Sequence, residues 1–127
     1  MAWLIAWLES ESSRAELLIK DILRRDPRYP KEAYLFVLAG CKKAFKKQPK
    51  THISAARVLD ALREQALSLY DGDAQSVLNG WGIRTCADFG EIVFNLVAVE
   101  LLAKTPEDSK SDFVSGYNFD EAFGAAP

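Results

Sequence analysis

The stretch Gly80–Val97, "GWGIRTCADFGEIVFNLV", decides how this chain folds. Two glycines flank a tryptophan, so the backbone can reverse tightly while Trp81 or Ile83 fills the elbow. Thr85 followed by Asp88 has the spacing of a capping box, which opens a helix. Phe89, Ile92, Val93, Leu96 and Val97 then recur at the three-and-four spacing of a buried helical face. Just upstream, Asp73 is placed to cap a short helix holding Val77 and Leu78, with Gly80 as its left-handed stop. The stretch is a helix–turn–helix in the plain geometric sense.

Working outward toward higher numbers, "ELLAKT" (100–105), "PEDSKSD" (106–112) and "FVSGYNF" (113–119) read as strand, polar turn and strand. A helix–turn–helix followed by a β-hairpin is the plan of a winged helix. Toward lower numbers, Ser54 is a good N-cap for a helix whose inner face carries Val58, Leu59, Leu62, Ala66 and Leu69. Pro30 suits the first turn of an earlier helix. Ala33, Phe36, Val37, Gly40, Cys41, Ala44 and Phe45 line one side of it, and "KKQPK" ends it. Before that, Ser12 or Ser13 can start a helix to about Arg25, with Leu18, Ile19, Ile22 and Leu23 inward; "RDPRYP" breaks it.

The expectation is a mainly α (α+β) fold: a compact helical domain of about five helices, with a C-terminal β-hairpin and a winged-helix-like second half. Residues 1–12 read as an N-terminal extension. Residues 13–127 read as a single domain that includes the hairpin and an aromatic tail. A chain of 127 residues can bury a core without disulfide or metal staples. The run Ala2–Leu8 is too short to span a bilayer and has no basic residue ahead of it. With no targeting segment legible, a cytoplasmic protein is expected.

Several chemistries find no support. Cys41 and Cys86 form no paired motif and lie in apolar helical contexts, where a free cysteine acts as a small hydrophobe. His52, the one histidine, lacks a ligand spacing or a partnered nucleophile. "GCKKAF" is not a phosphate loop, and "PEDSKSD" lacks the glycine and terminal glutamate of a calcium loop. No catalytic residue, cofactor or metal is expected.

"DPRYPKEAYLFV", "THISAARVLDALREQAL", "GWGIRTCADFGEIVFNLV", "LLAKTPEDSKSDF" and "YNFDEAF" together resemble a bacterial family of short conserved cytosolic proteins of unknown function. The likeness spans roughly Arg14–Phe123, and the "WGIRT…DFGEIVFNLV" block is its most specific part. It implies a cytosolic bacterial protein and no particular reaction. Ala55 and Glu100 stand where that family has glycine; the second bears on how the long helix ends near Val99.

Charge points to surfaces. Net charge is −2, but Arg14–Arg63 carries 13 Lys/Arg against 5 Asp/Glu, and residues from Glu64 onward carry 3 against 11. Such asymmetry suggests charged contacts, within the fold or with partners. Lys42, Lys43, Lys46, Lys47 and Lys50 gather at the end of one helix, where they complement its dipole or form a binding patch. Asp88, Glu91 and Asn95 fall on the predicted outer face of the 85–99 helix. Residues 81–112 hold 3 basic and 6 acidic residues, the wrong sign for a DNA-reading wing. Tyr117, Phe119 and Phe123 either pack on the domain or dock on another chain. The leading expectation is a non-catalytic protein-interaction module that binds a protein partner or itself. The alternative is RNA or DNA binding through the Lys42–Lys50 helix end.

Overall fold

Local signals set the longest helices in the computed structural model, which describes residues 3–5, 12–47 and 53–124, with side chains for 14–46 and 53–124. Helix α1 is Ser12–Arg25, α2 is Lys31–Lys47 and α3 is Ala55–Tyr70. Pro30 sits immediately before α2, and the Ser54 hydroxyl accepts from the Arg57 N–H at 3.1 Å to start α3. A 3-10 turn at Asp71–Asp73 leads into α4 (Ala74–Gly80), and α5 is Cys86–Ala98. Expectations at Lys47 (its side chain), Lys50 and His52 lie outside the described residues, as does most of the 1–12 extension.

Helices α4 and α5 end in the same way. At each, the residue in the left-handed region donates to the carbonyl three residues back, and the next N–H reaches five back: Gly82 to Asn79 with Ile83 to Leu78, and Glu100 to Val97 with Leu101 to Leu96. Gly82 has φ +86° and Glu100 φ +65°. The left-handed stop of α4 is therefore Gly82, not Gly80, because α4 runs through Gly80. Gly82 also passes close to the 26–30 loop: a Cβ there would lie 3.2 Å from the Arg28 carbonyl oxygen. Asp73 precedes α4 but makes no side-chain cap. The long helix stops beside Val99 even with glutamate in the left-handed position.

The expected C-terminal hairpin does not form. Strand β2 (Leu102–Lys104) pairs antiparallel with β1 (Trp3–Ile5), placing Trp3 opposite Lys104, so its partner comes from the beginning of the chain. Residues expected as the second strand form α6 (Ser111–Val114), a turn, and the start of α7 (Phe119–Phe123). The reason lies in the polar segment. The Asp108 carboxylate accepts from the Thr105 N–H at 2.8 Å, and Asp112 accepts from the Ser109 N–H at 2.9 Å. Each folds the chain back on itself in the manner of a helix cap, so the segment steps into α6 rather than reversing as a ribbon turn. Without that ribbon, residues 100–119 supply no wing.

The core gathers Ile19 and Ile22 from α1, Tyr34 and Val37 from α2, Leu62 from α3, Leu78 from α4, and Phe89, Ile92 and Leu96 from α5, all nearly or fully buried. Phe113 of α6 is fully buried against α5, where a Cβ on Gly90 would lie 2.9 Å from the Phe113 Cβ. Helices α2 and α3 are antiparallel, since Phe36 meets Gln65 near one end while Lys43 and Lys46 share a groove with Arg57 at the other. Leu69, expected inward on α3, is instead 57% exposed.

Candidate interaction surface

Asp88, Glu91 and Asn95 do share a face of α5, but that face is half-buried against the 26–34 segment rather than open. The Asp88 carboxylate accepts from the Arg84 N–H at 2.8 Å, from the Thr85 N–H at 3.1 Å and from the Tyr29 hydroxyl at 2.6 Å. Glu91 Oε1 accepts from Arg28 at 3.0 Å and from Lys110 at 3.1 Å. Asn95 Nδ2 donates to Asp26 and to the Tyr34 hydroxyl, both at 3.0 Å. Arg28 also forks onto Asp26 at 2.9 and 2.7 Å. The sequence pattern alone could not see this, because "RDPRYP" lies about sixty positions away. The acidic charge of that face is thus partly offset by Arg28 and Lys110.

The hydrogen bonds from Arg28 hold the carboxyls of Asp26 and Glu91 below the usual carboxylate range. Groups with lowered folded pKa stabilise the fold above their unfolded values, about 3.9 and 4.3, and lose that contribution as pH falls through the folded values. Stability in urea should therefore decline below about pH 5. Arg28→Ala should cost on the order of 1 kcal/mol at pH 7, the guanidinium being half exposed, and should flatten that acid limb. Urea midpoints measured from pH 7 to pH 2 for both proteins check it.

The basic end of α2 faces a different neighbour. Lys43 and Lys46 are exposed, whereas Lys42 is half-buried. With Ala44 they form one wall of a groove of about 370 Å³ whose other wall is Arg57, Ala61, Glu64, Gln65 and Ser68 on α3. Further along the same helix pair, a second hollow of about 390 Å³ is lined by Leu35, Phe36 and Ala39 of α2, Leu69 and Tyr70 of α3, and Trp81 from the Gly80–Gly82 turn. Lys43 and Gln65 line both hollows, so the two are halves of one track. Trp81 packs 5.5 Å from Phe36 and 6.1 Å from Tyr70, ring centre to ring centre, which makes the apolar half a firm aromatic floor. Leu35 and Leu69 stand exposed at its rim. Trp81, at the centre of the opening turn, therefore serves this surface, while Ile83 fills the elbow.

Gln65 is the odd member. It is 3% exposed, and its Nε2 donates to the Phe36 carbonyl at 2.8 Å. Its Oε1 is buried without a hydrogen-bond partner among the described residues. An acceptor left in that state costs about 1–3 kcal/mol.

Tyr117, Phe119 and Phe123 belong to the chain's own core. Phe119 and Phe123 are buried with ring centres 4.9 Å apart, Phe119 packs on Phe89 at 5.7 Å, and the Tyr117 hydroxyl donates to the Leu59 carbonyl at 2.8 Å. Cys41 and Cys86 are buried thiols, and burial pushes Cys41 up to about 12. Among the described residues, no three His, Cys, Asp or Glu side chains come together in a metal-holding cluster, and no helix is long and apolar enough to cross a membrane. Sequence reasoning missed Leu35, Leu69, Trp81, Arg57 and Gln65 as one surface. Gln65 was a legible flag, since it interrupts the apolar stripe Val58, Leu62, Ala66 and Leu69 at a helical position that should be apolar. No protein-family model, curated protein or solved structure matches this chain.

Proposed function

We propose that the chain is a non-catalytic, cytosolic interaction module whose α2–α3 track receives an amphipathic acidic segment of another protein. One observation carries the reading: a cationic half bearing Lys43, Lys46 and Arg57 runs into an apolar aromatic half bearing Leu35, Leu69 and Trp81. Arg57 and Leu69 are twelve positions apart on α3, about 18 Å, which suits roughly three turns of a docked helix. Its apolar face would cover the aromatic floor and its carboxylates would meet the cations. The resemblance to a cytosolic family supports the compartment.

Nucleic acid fits less well. Phosphates repeat along the whole length of a strand, whereas the apolar half of this track has Lys43 as its one lining cation, shared with the other half. Self-association through the Tyr117–Phe123 tail is disfavoured because those rings are already spent inside the domain.

The test is a display library of helical peptides of about 12–16 residues, followed by fluorescence anisotropy on the enriched sequences. Enrichment of acidic-amphipathic peptides is expected. Their binding should weaken with salt and fall at least about tenfold in both Lys43→Glu and Leu69→Asp, whose side chains are exposed. Binding indifferent to both substitutions overturns the reading. So does a protein that takes no peptide but retains single-stranded oligonucleotides or anionic vesicles.

A further inference from the structure

Gln65 gives the track a chemical preference, and the following inference rests on the peptide-docking reading above. The amide of Gln65 has one fixed orientation: its NH2 group must face the Phe36 carbonyl, since a flip would set oxygen against oxygen at 2.8 Å. Phe36 lies inside α2, where its carbonyl is already served by the helical N–H four residues on, so α2 does not need this hydrogen bond. Nor does the core need a polar side chain there. Leucine or methionine would continue the α3 stripe without leaving an orphan. What glutamine adds is an acceptor, Oε1, buried without a partner among the described residues, on a side chain that lines both the cationic and the apolar half.

We infer that the docked segment carries a neutral N–H or O–H donor, flanked by its apolar anchor on one side and its acidic residues on the other, and that this donor is received by Gln65 Oε1. The donor is neutral because Lys43, which lines both halves beside Gln65, disfavours a second cation there. Asparagine, serine, threonine or tryptophan satisfies this; alanine, leucine and lysine do not. Oε1 is covered in the free protein, so its cover must move as the segment seats. The acceptor thereby acts as a specificity element: a segment of the right charge and shape but without the donor leaves it orphaned.

The experiment uses a peptide that binds the unmodified protein, with its central position changed in turn to Asn, Ser, Trp, Ala and Leu. The donor-bearing peptides should bind about tenfold tighter than the alanine peptide. In Gln65→Met that preference should vanish, with the melting temperature at or above that of the unmodified protein. A readout without substitution is the Gln65 side-chain amide resonances in NMR, which should shift on adding the donor-bearing peptide and not the alanine peptide. If every peptide binds alike, or if the preference persists in Gln65→Met, the donor assignment is overturned while the docking track stands. Absence of all peptide binding removes the track itself.

Discussion

Phe113→Ala is expected to cost about 3–5 kcal/mol and to be the most damaging single truncation outside the α1–α3 core. Phe113 is fully buried on a four-residue helix that has little stability of its own, and it rests on the one face of α5 made smooth by Gly90. Removing the ring leaves a cavity that neither a glycine nor a short helix can fill. Had residues 113–119 formed the second strand of a surface ribbon, the same substitution would cost far less. A paired test sharpens the point. Gly90→Ala alone should destabilise by about 1–2 kcal/mol, because the Phe113 Cβ and Cγ lie in the way. In the Phe113→Ala background the cost should shrink without vanishing, since the Cγ and ring contacts are gone while the alanine Cβ still lies 2.9 Å away. Additive effects in urea denaturation would contradict the packing described.

Asp88→Ala should cost about 2–3 kcal/mol, combining the loss of a helix cap with the loss of the Tyr29 hydroxyl's acceptor. Asp88→Asn should cost under about 1 kcal/mol. The amide oxygen can still receive the two backbone N–H groups, and the amide NH2 can donate to the Tyr29 oxygen, which accepts as readily as it donates. A residue whose role was to meet a partner would behave in the opposite way: free-protein stability would be insensitive to alanine, and binding sensitive to the loss of charge. Thermal denaturation of the two variants, with peptide binding by each, separates these outcomes.

The helical plan was legible because its signals are local. Ser54 three residues before the Arg57 N–H, proline ahead of α2, and Thr85–Asp88 at the start of α5 each act within one turn. The last third misled for an equally local reason. Phe113, Val114, Tyr117 and Phe119 have strand-forming side chains, and propensity favoured a ribbon. Yet Thr105–Asp108 and Ser109–Asp112 repeat the Thr85–Asp88 spacing, and each Asp carboxylate takes the N–H three residues back, so two such turns in succession fold the chain as helical turns. The candidate surface was half legible. The lysines stood out, but the groove they line exists only once α3 lies antiparallel beside α2, and a sequence does not display that pairing. The face of Asp88, Glu91 and Asn95 misled because its cations come from Arg28 and Lys110, at distant positions.

The Tyr117–Leu59 and Phe119–Phe89 contacts also govern how the protein is made. As the chain leaves the ribosome, α3 and α5 emerge before residues 113–123, which cover the flank around Leu59, Cys86 and Phe89. Assembly is therefore completed late, and a nascent chain stalled before residue 113 presents a sticky surface of the kind chaperones hold.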